Sequence, residues 1–117
     1  MTIAEAIRLL DERKPNSTTT EEKLRWLTKV ELDAIGLVFQ DEREFTGYTE
    51  DTDQETVLLI PEPFSDAYLY WMAAQIDYWN REYGGYNNQV TMYNKEMERF
   101  RSHYLRDNAP SHGGFVI

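Results

Sequence analysis

Two apolar stripes separated by a glycine pair constrain this chain more than any other feature. Leu69, Met72, Ile76, Trp79 and Tyr83 recur at alternating spacings of three and four residues, and Val90, Tyr93, Met97, Phe100 and Tyr104 repeat that spacing beyond Gly84-Gly85. This period places each set on one face of an α-helix. Two such faces joined by a short connection bury one another in an antiparallel hairpin. The spacing predicts a first arm capped by Ser65 or Asp66 and running to about Tyr83, a turn at the glycines, and arms about 27 Å long at 1.5 Å per residue.

The N-terminal third carries two more helices. Thr2-Ile3-Ala4-Glu5 fits a capping box, Ile3, Ala6, Ile7 and Leu10 mark an apolar face, and Pro15 stops the helix after Arg13 and Lys14. Thr19-Thr20-Glu21-Glu22 repeats the capping logic and opens a helix expected to reach about Gln40. In that helix Leu24, Leu27, Val30, Ala34 and Leu37 or Val38 face inward, and Gly36 weakens the last turn. Residues 41–56 read as an exposed acidic excursion. Val57-Leu58-Leu59-Ile60, closed by Pro61-Glu62-Pro63, reads as a short extended run that must pair with another segment. The expected fold is all-α. A single four-helix domain spans residues 1–106, with the C-terminal antiparallel hairpin, an acidic loop and the extended segment 57–60, followed by an extended, flexible arm over 107–117.

At 117 residues one domain is expected, able to bury a core without covalent staples, and the chain has no cysteine for disulfides or thiolate metal sites. The first residues lack a signal-peptide layout, and no apolar run approaches the ~20 residues of a membrane span. A soluble protein of a reducing cytoplasm is expected, with no membrane partner. The net charge of −9 is uneven: residues 1–30 carry six basic and five acidic side chains, 31–66 carry eleven acidic side chains against Arg43, and 67–117 carry five of each. The acidic middle repels phosphate, which disfavours stable nucleic-acid binding through that face but suits a non-stick wall beside passing DNA.

Catalytic signatures are scarce. Gly84-Gly85 and Gly113-Gly114 lack phosphate-loop spacing. His112 falls in the presumed arm, and His103, with Arg99 one turn earlier, is read as a surface group near a helix end without an acidic partner at i,i+4 spacing. Asp51, Asp53 and Glu55 occupy positions one, three and five of a calcium loop, and Glu62 would be position twelve. Thr56 stands where the turn glycine belongs, however, and Pro61 and Pro63 obstruct the exit helix, so a solvated acidic loop is preferred. No cofactor, metal or catalytic residue is expected.

Aromatic side chains are 14% of the chain and concentrate in residues 64–104. With Leu69 to Tyr83 claiming one stripe, Tyr68, Trp71 and Tyr78 occupy an adjacent flank. That flank packs either against the first two helices or against a neighbouring subunit, where Tyr and Trp act as anchors. Stacking on single-stranded bases is disfavoured by the neutral charge of this half. The arm ends in Phe115, Val116 and Ile117, which either trail in solvent or insert into a partner's groove.

The stretch Leu59-Ile60-Pro61-Glu62-Pro63-Phe64-Ser65-Asp66-Ala67-Tyr68-Leu69-Tyr70-Trp71 has further company: Ala74-Gln75-Ile76-Asp77-Tyr78, Glu82-Tyr83, Tyr86-Asn87-Asn88, Phe100 and Tyr104-Leu105-Arg106. Together they resemble small proteins of phage and prophage structural clusters, in particular the head–tail connector (adaptor) proteins of long-tailed bacteriophages. The resemblance covers about residues 45–106 and is carried by sequence texture rather than by a catalytic motif. It implies a non-enzymatic virion protein of the neck, made in the host cytoplasm. Such a protein forms a ring of about twelve copies between the portal and a tail or stopper protein, around a channel through which DNA passes unbound.

On that reading Tyr68, Trp71 and Tyr78 meet the neighbouring subunit, and Phe115, Val116 and Ile117 dock on the portal. Glu50, Asp51, Asp53 and Glu55 line the channel or face a basic partner. The rival reading is a phage-encoded acidic regulator that binds a host protein.

Overall fold

A computed structural model describes residues 1–108 of the chain. The fold is helical, as the periodicity predicts: α1 (Ile3–Arg13), α2 (Thr20–Ala34) extended by a π turn (Ile35–Phe39), α3 (Asp66–Trp79) and α4 (Tyr83–Asn108). Phe115, Val116 and Ile117, expected to dock on the portal, and most of the arm lie outside the described residues.

Each boundary has a local cause. Thr2 closes α1 with a complete capping box: its hydroxyl accepts from Glu5 N, and the Glu5 carboxylate accepts from Thr2 N, both at 3.1 Å. Thr19 caps α2 by accepting from Glu22 N at 3.2 Å. The π turn ends at Gln40, whose left-handed φ of 52° stops the helix. Ser65 occupies the position before α3, but its buried hydroxyl makes no hydrogen bond, so the capping expected of it does not occur. Backbone turns bring the chain into α3 instead, with Phe64 N donating to Pro61 O at 2.9 Å and Ala67 N to Phe64 O at 3.2 Å.

The short extended run finds its partner at the chain's start. Leu58 N donates to Met1 O at 2.9 Å and Ile3 N to Thr56 O at 3.1 Å, flanking an antiparallel bridge between Thr2 and Val57. Ala4 N donates to Gln54 O at 2.9 Å. Two of the N–H groups that the first turn of α1 leaves open are therefore used to hold the 54–58 segment.

The core joins Ile3, Ala6 and Leu10 of α1, Leu24, Leu27 and Val30 of α2, Leu58 and Ile60, and the inner faces of the hairpin. The hairpin differs from expectation in one respect. Gly84 and Gly85 do not form the turn; they belong to the first turn of α4, and Asn80-Arg81-Glu82 reverses the chain, with Arg81 at φ 60°. Gly85 is needed for a different reason. A Cβ there would stand 2.7 Å from Asp77 Oδ2, whereas one at Gly84 would meet nothing within 4 Å. Gly84→Ala is therefore expected to stabilise by about 0.5–1 kcal/mol through helix propensity. Gly85→Ala is expected to destabilise by about 1–3 kcal/mol through overpacking. Urea unfolding of the two variants measures the opposite signs.

Candidate interaction surface

The end of the α3–α4 hairpin is built in two tiers. The lower tier locks the turn. Asp77 is buried, its Oδ1 accepts from Lys14 Nζ at 2.7 Å, and Gly85 leaves the space its carboxylate fills. The backbone closes over it, with Arg81 N donating to Tyr78 O at 3.0 Å and Glu82 N to Asp77 O at 2.8 Å.

The upper tier is aromatic and exposed. Tyr78, Trp79 and Tyr83 are 49%, 72% and 54% accessible. Tyr78 sits at the centre, its ring 5.9 Å from Trp79, 6.0 Å from Tyr83 and 5.5 Å from Tyr86. The Trp79 and Tyr83 contacts are edge-to-face, an arrangement that adds ~0.5–1.5 kcal/mol per pair and holds the rings in place. The inward stripe expected to include Trp79 and Tyr83 stops at Ile76. Here α1 has already ended, and the polar connection Asn16-Ser17-Thr18 runs beside Ile76 and Trp79 in place of another apolar helix.

Of the three expected interface residues, only Tyr78 is on this surface. Tyr68 is fully buried, and Trp71 is partly buried, its ring 5.1 Å from that of Tyr93 with Lys29 Nζ 4.9 Å from its centroid. Both belong to the interior because α2 packs on the face of α3 that carries them. Helical spacing alone could not distinguish that face from a subunit contact.

Tyr68 is instead part of a buried polar node. Its hydroxyl donates to Glu31 Oε1, which lies at short range, and accepts from Ile60 N at 2.8 Å. Glu31 Oε2 accepts from Tyr48 OH at 2.6 Å and Leu59 N at 2.9 Å. Glu31 is fully buried, and that burial raises its carboxyl above the ordinary range, while hydrogen bonds from Tyr48, Tyr68 and Leu59 draw it partly back. Burial, together with the carboxylate, raises both phenols, so they remain donors. The node joins α2, the acidic segment, the extended run and α3. Glu31 falls four residues after Leu27 and seven after Leu24, so a carboxylate on the apolar stripe of α2 was the signal that could have revealed it.

The carboxylates of Glu50, Asp51, Asp53 and Glu55 are exposed, and none is ion-paired among the described residues. Local turns order them: Glu55 N donates to Asp53 Oδ1 at 2.9 Å and Asp51 N to Thr49 Oγ1 at 3.2 Å. No group of three metal-ligating side chains converges among the described residues. The excursion itself is tethered, because Tyr48 N donates to Thr28 Oγ1 at 2.9 Å.

His103 does have an acidic partner, contrary to expectation: Asp107, one turn later, stands 3.0 Å from Nε2. Both are exposed. His103 also borders an open groove with Phe64, Arg99, Ser102 and Arg106, and no helix among the described residues is long and apolar enough to cross a membrane.

Comparison with protein-family models, curated proteins and solved structures found no match. The local chemistry is a protruding aromatic cluster on a turn braced by Asp77.

Proposed function

We propose that the chain is a non-enzymatic assembly protein, a head–tail connector that forms a ring between portal and tail around a DNA channel. The observation that carries the reading is the cluster of exposed Tyr78, Trp79 and Tyr83 with half-buried Tyr86. Aromatic anchors that are pre-ordered lose little side-chain entropy on association, which is why such residues dominate contact energies. The cluster replaces Tyr68 and Trp71 as the self-contact. The unpaired carboxylates Glu50, Asp51, Asp53 and Glu55 would face the channel, where repulsion keeps DNA from adhering. The resemblance of residues 45–106 supplies the portal, the tail or stopper protein and the ring of about twelve copies.

Quantitative mass spectrometry of purified phage particles tests this reading. The expected result is this protein at near one-to-one stoichiometry with the portal. Its absence from particles would refute the connector. The same unpaired acidic segment favours a second reading, an acidic regulator of a host protein, and that reading expects absence from particles together with a monomeric or dimeric state.

A further inference from the structure

A crevice of about 200 Å³ opens where α1 ends against the hairpin. Leu10, Leu69 and Ala73, all buried, form its apolar floor, and Arg13 and Lys14 stand at its rim. Lys14 is committed to Asp77 at 2.7 Å. Arg13 is exposed and has no ion pair among the described residues. The crevice is smaller than the ~300–1,000 Å³ pockets that take drug-sized ligands, so it suits one apolar side chain with an anion beside it.

The chain itself carries the complement. Val57 is 67% exposed, the most exposed of the large aliphatic side chains among the described residues. The bridge to Thr2 and the bond from Leu58 N to Met1 O hold its backbone in place. Two residues earlier Glu55 is exposed and unpaired, its amide held by Asp53 Oδ1 at 2.9 Å. An ordered apolar knob beside a carboxylate matches an apolar floor beside a guanidinium. One copy cannot make this match with itself. Its Val57 is bridged to Thr2, just before α1, while its crevice lies at the other end of that 11-residue helix, about 16 Å further along. We infer that Val57 of one copy seats in the crevice of the next, with Glu55 paired to that neighbour's Arg13.

This contact is heterologous: each copy offers a knob at one end of α1 and a crevice at the other. Repetition of such a contact gives a ring where the rotation closes. Glu55 then belongs to the subunit contact, leaving Glu50, Asp51 and Asp53 to the channel. The inference rests on the self-association in the reading above, but not on the virion, so the two fail separately.

Sedimentation equilibrium of the full-length chain over a concentration series at low salt tests the contact. Arg13→Glu and Glu55→Arg each set like charges against one another and should weaken self-association at least ten-fold, about 1.4 kcal/mol. The chain carrying both exchanges should recover it, as should an equimolar mixture of the two single variants. Residues 109–117 contain no acidic side chain, so recovery by the exchange reads Glu55 and not the arm. Val57→Asp should abolish association in every background, because it sets a charge against the apolar floor. All three positions are exposed, so circular dichroism should be unchanged. A chain that stays monomeric at millimolar concentration, or single variants that associate like the parent, would overturn the inference, as would a double variant without recovery. Association that survives Arg13→Glu but is lost in Trp79→Ala would sink the crevice contact and leave self-association through the aromatic surface standing. Particle stoichiometry is judged by itself in every case.

Discussion

Glu31→Ala is expected to lower the unfolding free energy by about 2–4 kcal/mol, visible as a fall of roughly 10 °C in Tm. Two effects oppose one another. Removing the carboxylate relieves the desolvation that burial imposes on it, but it strands the hydroxyls of Tyr48 and Tyr68 and the amide of Leu59. Each buried donor without an acceptor costs about 1–3 kcal/mol. Three donors outweigh one relieved charge, and the vacated volume adds to the loss.

Glu31→Gln separates charge from volume. The folded-state pKa of Glu31 lies above its unfolded value of 4.5. The folded protein thus holds this proton more tightly, so the stability it contributes is fully present below pH ~4.5 and declines as pH rises through the folded-state pKa. A neutral glutamine has no such dependence. The destabilisation by Glu31→Gln should therefore shrink between about pH 4 and pH 7, which urea titrations of both proteins would measure. A gap that widens with pH would mean that the three donors, rather than burial, decide the protonation of this group.

Phe100→Ala is expected to cost about 3–5 kcal/mol, the usual range for removing a buried aromatic ring. Phe100 is buried between segments distant in the chain: its ring lies 5.6 Å from Phe39, 5.7 Å from Phe64 and 6.3 Å from Tyr104. Phe39 belongs to the π turn and Phe64 to the approach to α3, so the loss extends beyond a local cavity. Hydrogen exchange should accelerate in residues 35–39 and in the C-terminal half of α4 before the rest of the domain. Phe100→Leu, which keeps most of the apolar volume, should retain over half of the lost stability, and differential scanning calorimetry of the pair checks the ratio.

The candidate surface shows where sequence reasoning reaches its limit. Trp79 and Tyr83 continue the α3 stripe at helical spacing, and nothing in that spacing distinguishes a buried position from an exposed one. Exposure depends on where α1 ends relative to the hairpin, which involves residues more than sixty positions away. Tyr68 fails in the opposite direction, since the face it occupies looked available until α2 and the 57–60 run covered it. The need for a glycine at position 85 escapes local spacing for a related reason: it comes from Asp77 across the helix contact rather than from local backbone conformation.

What the sequence determined by itself was governed by short-range physics. The helix class, the capping box at Thr2, the stop at Pro15, the antiparallel hairpin and the inward set Leu69, Met72, Ile76, Tyr93, Met97 and Phe100 follow from periodicity and from side chains within a few residues of one another. Tertiary structure alone decided the rest. It gave the 57–60 run its partner at the N-terminus, placed Glu31 among three donors from distant segments, and left the aromatic end of the hairpin uncovered. These features depend on which helix reaches how far over which neighbour, and long-range packing sets that reach while local spacing carries no record of it.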